Sequence, residues 1–210
     1  MDITYPQGAT PLDPDEAAGL LPQHITTQAD LNAWEEANIL EGEKWAKRQT
    51  KRDLLTEGFI RDLHSKMFSH TWRWAGTFRS SNKNFGVDWP QVATKLRNLL
   101  DNTRYQIDHA HIADNSADNS AGNSAGNSEE CDALAIRFHH QLVWIHPFPN
   151  GNGRHARLLA DTLAVRLGQT RFTWGSASLG STGNARERYL QALRAADGGS
   201  VRELIEFARS

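Results

Sequence analysis

Apolar residues recur at helical spacing through most of this chain. In TTQADLNAWEEANILEGEKWAKRQ, Leu31, Trp34, Ile39 and Trp45 fall at roughly helical intervals, which predicts a helix. Thr27 stands before it with Asp30 three residues on, the pattern of a capping box. TEGFIRDLHSKMFSHTWRW repeats the arrangement, with Phe59, Leu63 and Met67 on one stripe. Pro90 is placed to open another helix through QVATKLRNLLDNTRYQI, and EECDALAIRFHHQLVWI reads as a further one. Helices are then expected at about 152–167, 184–196 and 200–208, the last two parted by DGGS. One stretch breaks the helical rhythm: AGTFRSSNKNFGVDWP mixes glycines and turn formers with Thr, Phe and Val, and predicts a short β-hairpin or an ordered loop. The expected fold class is therefore all-α, with one short hairpin.

Two segments fall outside this pattern. Residues 1–26 carry Pro6, Pro11, Pro14 and Pro22 and are expected to form an extended arm before a helical domain over 27–210. Residues 114–128, DNSADNSAGNSAGNS, are a repeat with no apolar side chain larger than alanine. Such a segment cannot offset its ordering entropy by burial. It reads as a flexible linker between two helices, a binding tract being the alternative.

Composition narrows the class. The chain has 210 residues, 39% of them hydrophobic, enough for one domain with an extension. The formal net charge is -2 and no basic tail is visible, so direct nucleic-acid binding is not expected. Cys131 is the single cysteine, which rules out an internal disulfide and fits a reducing compartment. The acidic, proline-rich start lacks the basic and apolar regions of a secretory signal. No run reaches transmembrane length. A soluble cytoplasmic protein without membrane contact is the expectation.

The chemistry concentrates in HPFPNGNGRHAR, residues 146–157. Pro147 and Pro149 force the preceding residues out of the helical region, so the incoming helix should end near Ile145. Gly151 and Gly153 bracket Asn152 and let backbone N–H groups turn inward as an anion nest. The next helix aims its unpaired N–H groups and positive dipole end at the same place. Ala156, Leu159, Ala160, Leu163 and Leu167 share its apolar face, while Arg154 and Arg157 lie together on the other. On the helix alone those arginines read as a solvated face, with Arg157 paired to Asp161. Beside the nest they form a clamp suited to adjacent phosphates. His146, which titrates near neutral pH when unperturbed, can serve as a base. Base, nest and two guanidiniums point to phosphoryl- or nucleotidyl-group transfer.

HPFPNGNGRHAR resembles the Fic-family signature: His, any residue, Phe, any residue, an acid, Gly-Asn-Gly-Arg, two of any kind, Arg. The match covers His146, Phe148, Gly151, Asn152, Gly153, Arg154 and Arg157. RFHHQLVWI resembles the helix before that motif, and WRWAGTFR the segment leading to the family's target-docking flap, here Lys83, Asn84, Phe85, Gly86 and Val87. Nearly the whole chain apart from the Asn/Ser insert is similar to the Fic subgroup called mobile mystery protein B. The resemblance implies a Fic-like helical bundle with a β-hairpin flap. It also implies AMP transfer from ATP, with Mg²⁺, to a Tyr, Thr or Ser hydroxyl of a target protein or of the chain itself. His146 would be the base and Phe148 would hold the loop from the core. Gly151, Asn152 and Gly153 would cradle the α- and β-phosphates, and Arg154 and Arg157 would bind the β- and γ-phosphates. Arg154 would also stabilise transition-state charge. Gly153 stands where Doc kinases carry lysine, which favours the Fic donor orientation.

One departure concerns the metal. The family's acidic Mg²⁺ ligand is Asn150 here. Its amide carbonyl can coordinate Mg²⁺ but adds no charge, so a nearly silent nucleotide-binding module, or transfer of another phosphate-containing group, is the alternative function. ANILEG resembles the family's inhibitory motif only in part. It makes Glu41 a candidate inhibitory carboxylate, with an exposed helical glutamate as the other reading. His139, His140 and His155 lack metal-ligand spacing, and the seven tryptophans read as core or groove bulk.

Overall fold

A computed structural model describes residues 11–115, 124–176 and 184–210. The chain divides into two compact units, Met1–Asp101 with Leu142–Leu158, and Asn102–Gln141 with Leu159–Ser210. The helices run in chain order: α1 (Pro14–Ala17), α2 (Gln28–Arg48), α3 (Glu57–Phe68), α4 (Val92–Asn115), α5 (Ser124–Ile145), α6 (Asn152–Arg166), α7 (Asn184–Asp197) and α8 (Arg202–Arg209). A 3₁₀ turn at Trp89–Gln91 leads into α4, with Pro90 inside it.

In the first unit, local signals start the helices and burial decides their faces. Thr27 caps α2 by accepting from the Asp30 amide at 3.1 Å, and Asp30 returns the bond to the Thr27 amide at 3.2 Å. Thr56 caps α3 through the Phe59 amide at 3.2 Å. The expected stripe of Phe59, Leu63 and Met67 is buried, joined by Ile60, His64 and Phe68. On α2 the inward face differs from the expectation. Trp34 is exposed and Ile39 only half-buried, while Leu31, Glu35, Asn38, Gly42 and Ala46 are buried. That stripe keeps helical spacing, and its polar members find buried partners. Asn38 donates to the Thr71 hydroxyl at 3.2 Å, and Glu35 accepts from Trp72 Nε1 at 2.7 Å. Trp45 meets Phe59 with ring centroids 5.3 Å apart, packing α2 on α3.

The N-terminal arm is not wholly extended. Asp13, Pro14, Asp15 and Glu16 form a helix start, with Pro14 in its first turn. The Asp13 amide donates to Glu16 Oε2 at 2.8 Å. The arm then runs along residues 71–73, with Leu20 bridged to Trp72 and the Leu21 amide donating to the Thr71 carbonyl at 2.9 Å. Residues 1–10 of the arm and 116–123 of the Asn/Ser insert lie outside the described residues. The insert's described edges are helical, since α4 reaches Asn115 and α5 starts at Ser124.

The expected β-hairpin flap is absent among the described residues: 79–88 form bends and irregular chain, with no strand. Side chains do the work that a ladder of main-chain bonds would do. Asn82 Nδ2 donates to Asp88 at 3.1 Å, and Asn82 Oδ1 accepts from the Trp89 amide at 2.8 Å. Arg79 spans the same loop from Ser81 to Val87.

In the second unit Leu134, Ala135, Ile136, Phe138, Leu159, Ala160, Leu163 and Leu204 are buried. Arg209 grips Asp132 with two nitrogens and donates to the Arg171 carbonyl at 3.1 Å, tying α8 to α5. Asp161 accepts from Trp174 Nε1 at 2.9 Å, Arg171 at 3.1 Å and the Phe172 amide at 3.3 Å. His139 hydrogen-bonds with the Tyr189 hydroxyl at 3.1 Å, and His140 with Asp197 at 2.8 Å. Among the described residues no helix is long and apolar enough to cross a membrane.

Candidate active site

The motif loop is built from the end of α5 to the first turns of α6. α5 stops at Ile145, where Pro147 denies the chain a further helical turn. His146 turns it with φ 55°, a left-handed conformation that a non-glycine residue adopts only where its surroundings hold it. The His146 carbonyl accepts from Arg79 Nε at 2.6 Å. Its imidazole is buried, with Nδ1 3.3 Å from the Val143 carbonyl. That contact fits a proton on Nδ1 and leaves the Nε2 lone pair for a base. Burial pushes the His146 pKa down to about 4, and the nearby Arg79 and Lys83 cations push the same way. The ring is therefore neutral at physiological pH. Phe85 meets it edge-on at 5.5 Å.

Phe148 is fully buried, as expected, and stacks on His64 at 3.7 Å. The Asn152 side chain closes on the backbone of Phe148. Its Oδ1 accepts from the Phe148 amide at 2.9 Å and its Nδ2 donates to the Phe148 carbonyl at 2.7 Å. Asn152 thus shapes the loop with its side chain at the start of α6, where a helix leaves its first N–H groups without intrahelical acceptors. Gly151 has φ 77°, and a Cβ there would come within 2.6 Å of Phe68 Cζ, so only glycine fits this turn. Gly153 lies in the first turn of α6 and is half-buried.

Arg154 leaves α6 toward α2. Its Nη1 donates to Glu35 Oε2 at 2.6 Å, and its guanidinium lies 5.0 Å over the Phe68 ring. Arg157, one turn later, is half-buried. Glu41 is on the exposed side of α2, paired with Lys44 at 2.8 Å; the α2 carboxylate that meets a motif arginine is Glu35. Asn150 bends back on itself, its Oδ1 accepting from the Gly151 amide.

Among the flap residues, Asn84, Phe85 and Gly86 are exposed and Val87 is buried. The Lys83 side chain is buried, with Nζ donating to Asp13 at 2.8 Å and to Glu16. It anchors the N-terminal arm to the loop rather than facing outward. The Lys83 bond holds the Asp13 carboxyl below the usual carboxylate range.

Sequence reasoning missed three residues. Glu35 looked like any helical carboxylate. His64 looked like part of an apolar stripe, yet it ties the loop together: Nε2 donates to the Asn150 carbonyl at 3.0 Å and Nδ1 accepts from the Gly76 amide at 3.0 Å. Burial pushes its pKa well below 6.5. Arg79 looked like a loop cation, but is buried among carbonyls. His155, set aside as a metal ligand, donates from Nε2 to the Ile60 carbonyl at 3.0 Å, and burial lowers its pKa to about 3. No group of three metal-ligating side chains occurs among the described residues.

The arrangement unites a neutral imidazole, a glycine turn at a helix N-terminus and two guanidiniums on the first turns of that helix. Chemically it suits proton abstraction beside a polyphosphate. Known proteins agree in family. Protein adenylyltransferase Fic of Aedes aegypti is 36% identical over 73 residues, 35% of this chain and 13% of that protein. The protein of the same name from Drosophila mojavensis is 35% identical over 85 residues, 38% of this chain and 16% of its own length. The match thus spans a small part of these curated relatives. The N-terminal Fic domain of a VirB-translocated Bep effector from Bartonella quintana shares the fold with TM-score 0.64 and 16% identity, over 92% of each chain. BepC from Bartonella tribocorum, solved with bound AMPPNP, gives TM-score 0.62 and 16% identity over 92% of this chain and 95% of its own. The Fic/DOC family model matches residues 54–164, more than half of the sequence and the whole motif loop. The chain belongs to the Fic/DOC family.

Proposed function

We propose that this protein moves AMP from ATP onto a Tyr, Thr or Ser hydroxyl of a target protein, self-modification being one case of the same reaction. The observation that carries this reading is the neutral, buried His146 at the strained end of α5, beside the Gly151 turn and the start of α6. In the reaction, His146 Nε2 takes the proton from the target hydroxyl. The freed oxygen bonds to the α-phosphorus, the bond from that phosphorus to the α–β bridging oxygen breaks, and pyrophosphate leaves. Backbone N–H groups of Asn152 and Gly153 and the α6 dipole hold the α- and β-phosphates, joined by that of Gly151 once it leaves Asn150 Oδ1. Arg154 and Arg157 hold the β- and γ-phosphates, Arg154 after release from Glu35. Asn84, Phe85 and Gly86, exposed beside His146, receive the target. The reading includes membership of the mobile mystery protein B subgroup, which the sequence resembles, and a cytoplasmic site of action.

The residues present do not fit a protein-held Mg²⁺. Asn150 offers no charge, and its amide oxygen already accepts from Gly151. Mg²⁺ in this reading accompanies the nucleotide on phosphate oxygens. The same two observations, a missing acid at Asn150 and Arg154 bound to Glu35, favour a second reading: a nucleotide-responsive module with little turnover.

Incubation of the protein with a lysate and ATP labelled at the α- or γ-phosphate separates these readings. Transfer of α-label alone, lost in His146→Ala, supports AMP transfer. Transfer of γ-label overturns it in favour of phosphoryl transfer. Nucleotide binding without either transfer leaves the module reading.

A further inference from the structure

We propose that Arg79 is a positioning residue that holds His146 and the target-facing loop as one rigid body. Resting on the reading of His146 as the base, it deepens that reading by naming what aims the base at the target. Arg79 is 3% exposed, and its guanidinium donates to carbonyl oxygens. Nε donates to His146 at 2.6 Å, Nη1 to Ser81 at 2.8 Å, and Nη2 to Val87 and, at 3.4 Å, to Ile145. Its own amide donates to the Pro147 carbonyl at 3.0 Å.

These bonds fall into two sets. The Ile145 and His146 carbonyls belong to the end of α5, where helix carbonyls lack intrahelical donors and the dipole favours a cation. Holding them stabilises the left-handed turn at His146 that aims the imidazole. The Ser81 and Val87 carbonyls are the two ends of the target-facing loop. One planar guanidinium therefore fixes the loop's ends and the histidine's backbone together, a task for which an ammonium lacks the fork geometry. Packing confirms how close the two lie: a Cβ on Gly86 would sit 2.6 Å from His146 Cβ and 3.1 Å from Arg79 Nη2. The charges facing this cluster are Lys83, near His146, and Asp88 and Glu16, near Arg79.

The test does not require turnover. Histidine imidazoles and loop amides are followed by NMR in the full chain, with Arg79→Gln and Arg79→Lys compared to wild type. In Arg79→Gln the loop amides of residues 82–86 should lose order. The His146 ring and amide resonances, read at pH 7, should shift with them, because the His146 carbonyl loses the same guanidinium. The His155 ring resonances, held by the Ile60 carbonyl, should not move, which excludes general loosening. Arg79→Lys restores charge without the fork, so it should restore neither the loop order nor the His146 resonances. If Arg79→Gln fails to fold, the loop amides of Arg79→Lys carry the test. Unchanged loop order and unchanged His146 resonances in the folded variants would overturn the proposal, whether or not the protein transfers AMP.

Discussion

Glu35 on α2 and Arg154 on α6, 119 residues apart in sequence, form an ion pair of 2.6 Å. Glu35 is 5% exposed, and its other oxygen accepts from Trp72 Nε1 at 2.7 Å. If Arg154 binds phosphate as proposed, a buried carboxylate on it competes with the ligand and repels it. Glu35→Gln keeps an acceptor for Trp72 and removes the charge. It should tighten ATP about tenfold, or about 1.4 kcal/mol, read by calorimetry. Glu41→Gly should leave affinity unchanged, since Glu41 is exposed and paired with Lys44. The opposite pattern would return the regulatory role to Glu41.

Arg157 is expected to meet the distal phosphates and the Gly151 turn the α-phosphate. Arg157→Ala should therefore weaken ATP by tenfold or more and AMP by no more than about twofold. Equal losses for the two nucleotides would place Arg157 on a structural face of α6 instead.

Three buried histidines set an acid limit. Burial holds His64 well below 6.5, His146 at about 4 and His155 at about 3. In the unfolded chain each binds a proton near pH 6.5. Below that pH the unfolded state binds more protons than the folded one, so stability falls as pH drops from 6.5 toward 4. Each histidine contributes a slope of about 1.4 kcal/mol per pH unit in that window. Urea denaturation at pH 7, 6 and 5 measures the sum, and His155→Gln should remove one histidine's share. A flat profile would mean that these rings are not held neutral.

Asn150→Asp should preserve the loop, because a carboxylate oxygen can still accept from the Gly151 amide. It adds the charge that Mg²⁺ favours. The Mg²⁺ concentration for half-maximal transfer should fall several-fold and the rate should rise. Superimposed Mg²⁺ curves for the two proteins would show that residue 150 shapes the turn and does not set metal use.

What the sequence determined by itself is local. Thr27 with Asp30 and the proline pair after Ile145 placed helix ends correctly, because caps and proline sterics act within four residues. The motif from His146 to Arg157 supplied the proposed site residues, because they lie on one short stretch of chain. Tertiary structure decided what meets what. Glu35 and Glu41 are both helical glutamates on α2, and only the tertiary structure buries one against Trp72 and Arg154 and leaves the other exposed with Lys44. His64 lies on an apolar stripe, and its two loop partners come from distant segments. Arg79 and Lys83 sit in a polar stretch that looked like a hairpin, yet they are buried. Their carbonyl and carboxylate partners replace the main-chain ladder that the residue pattern alone predicted. Periodicity reports which face of an element is apolar; it carries no information on which distant polar group will satisfy a charge once that face is buried.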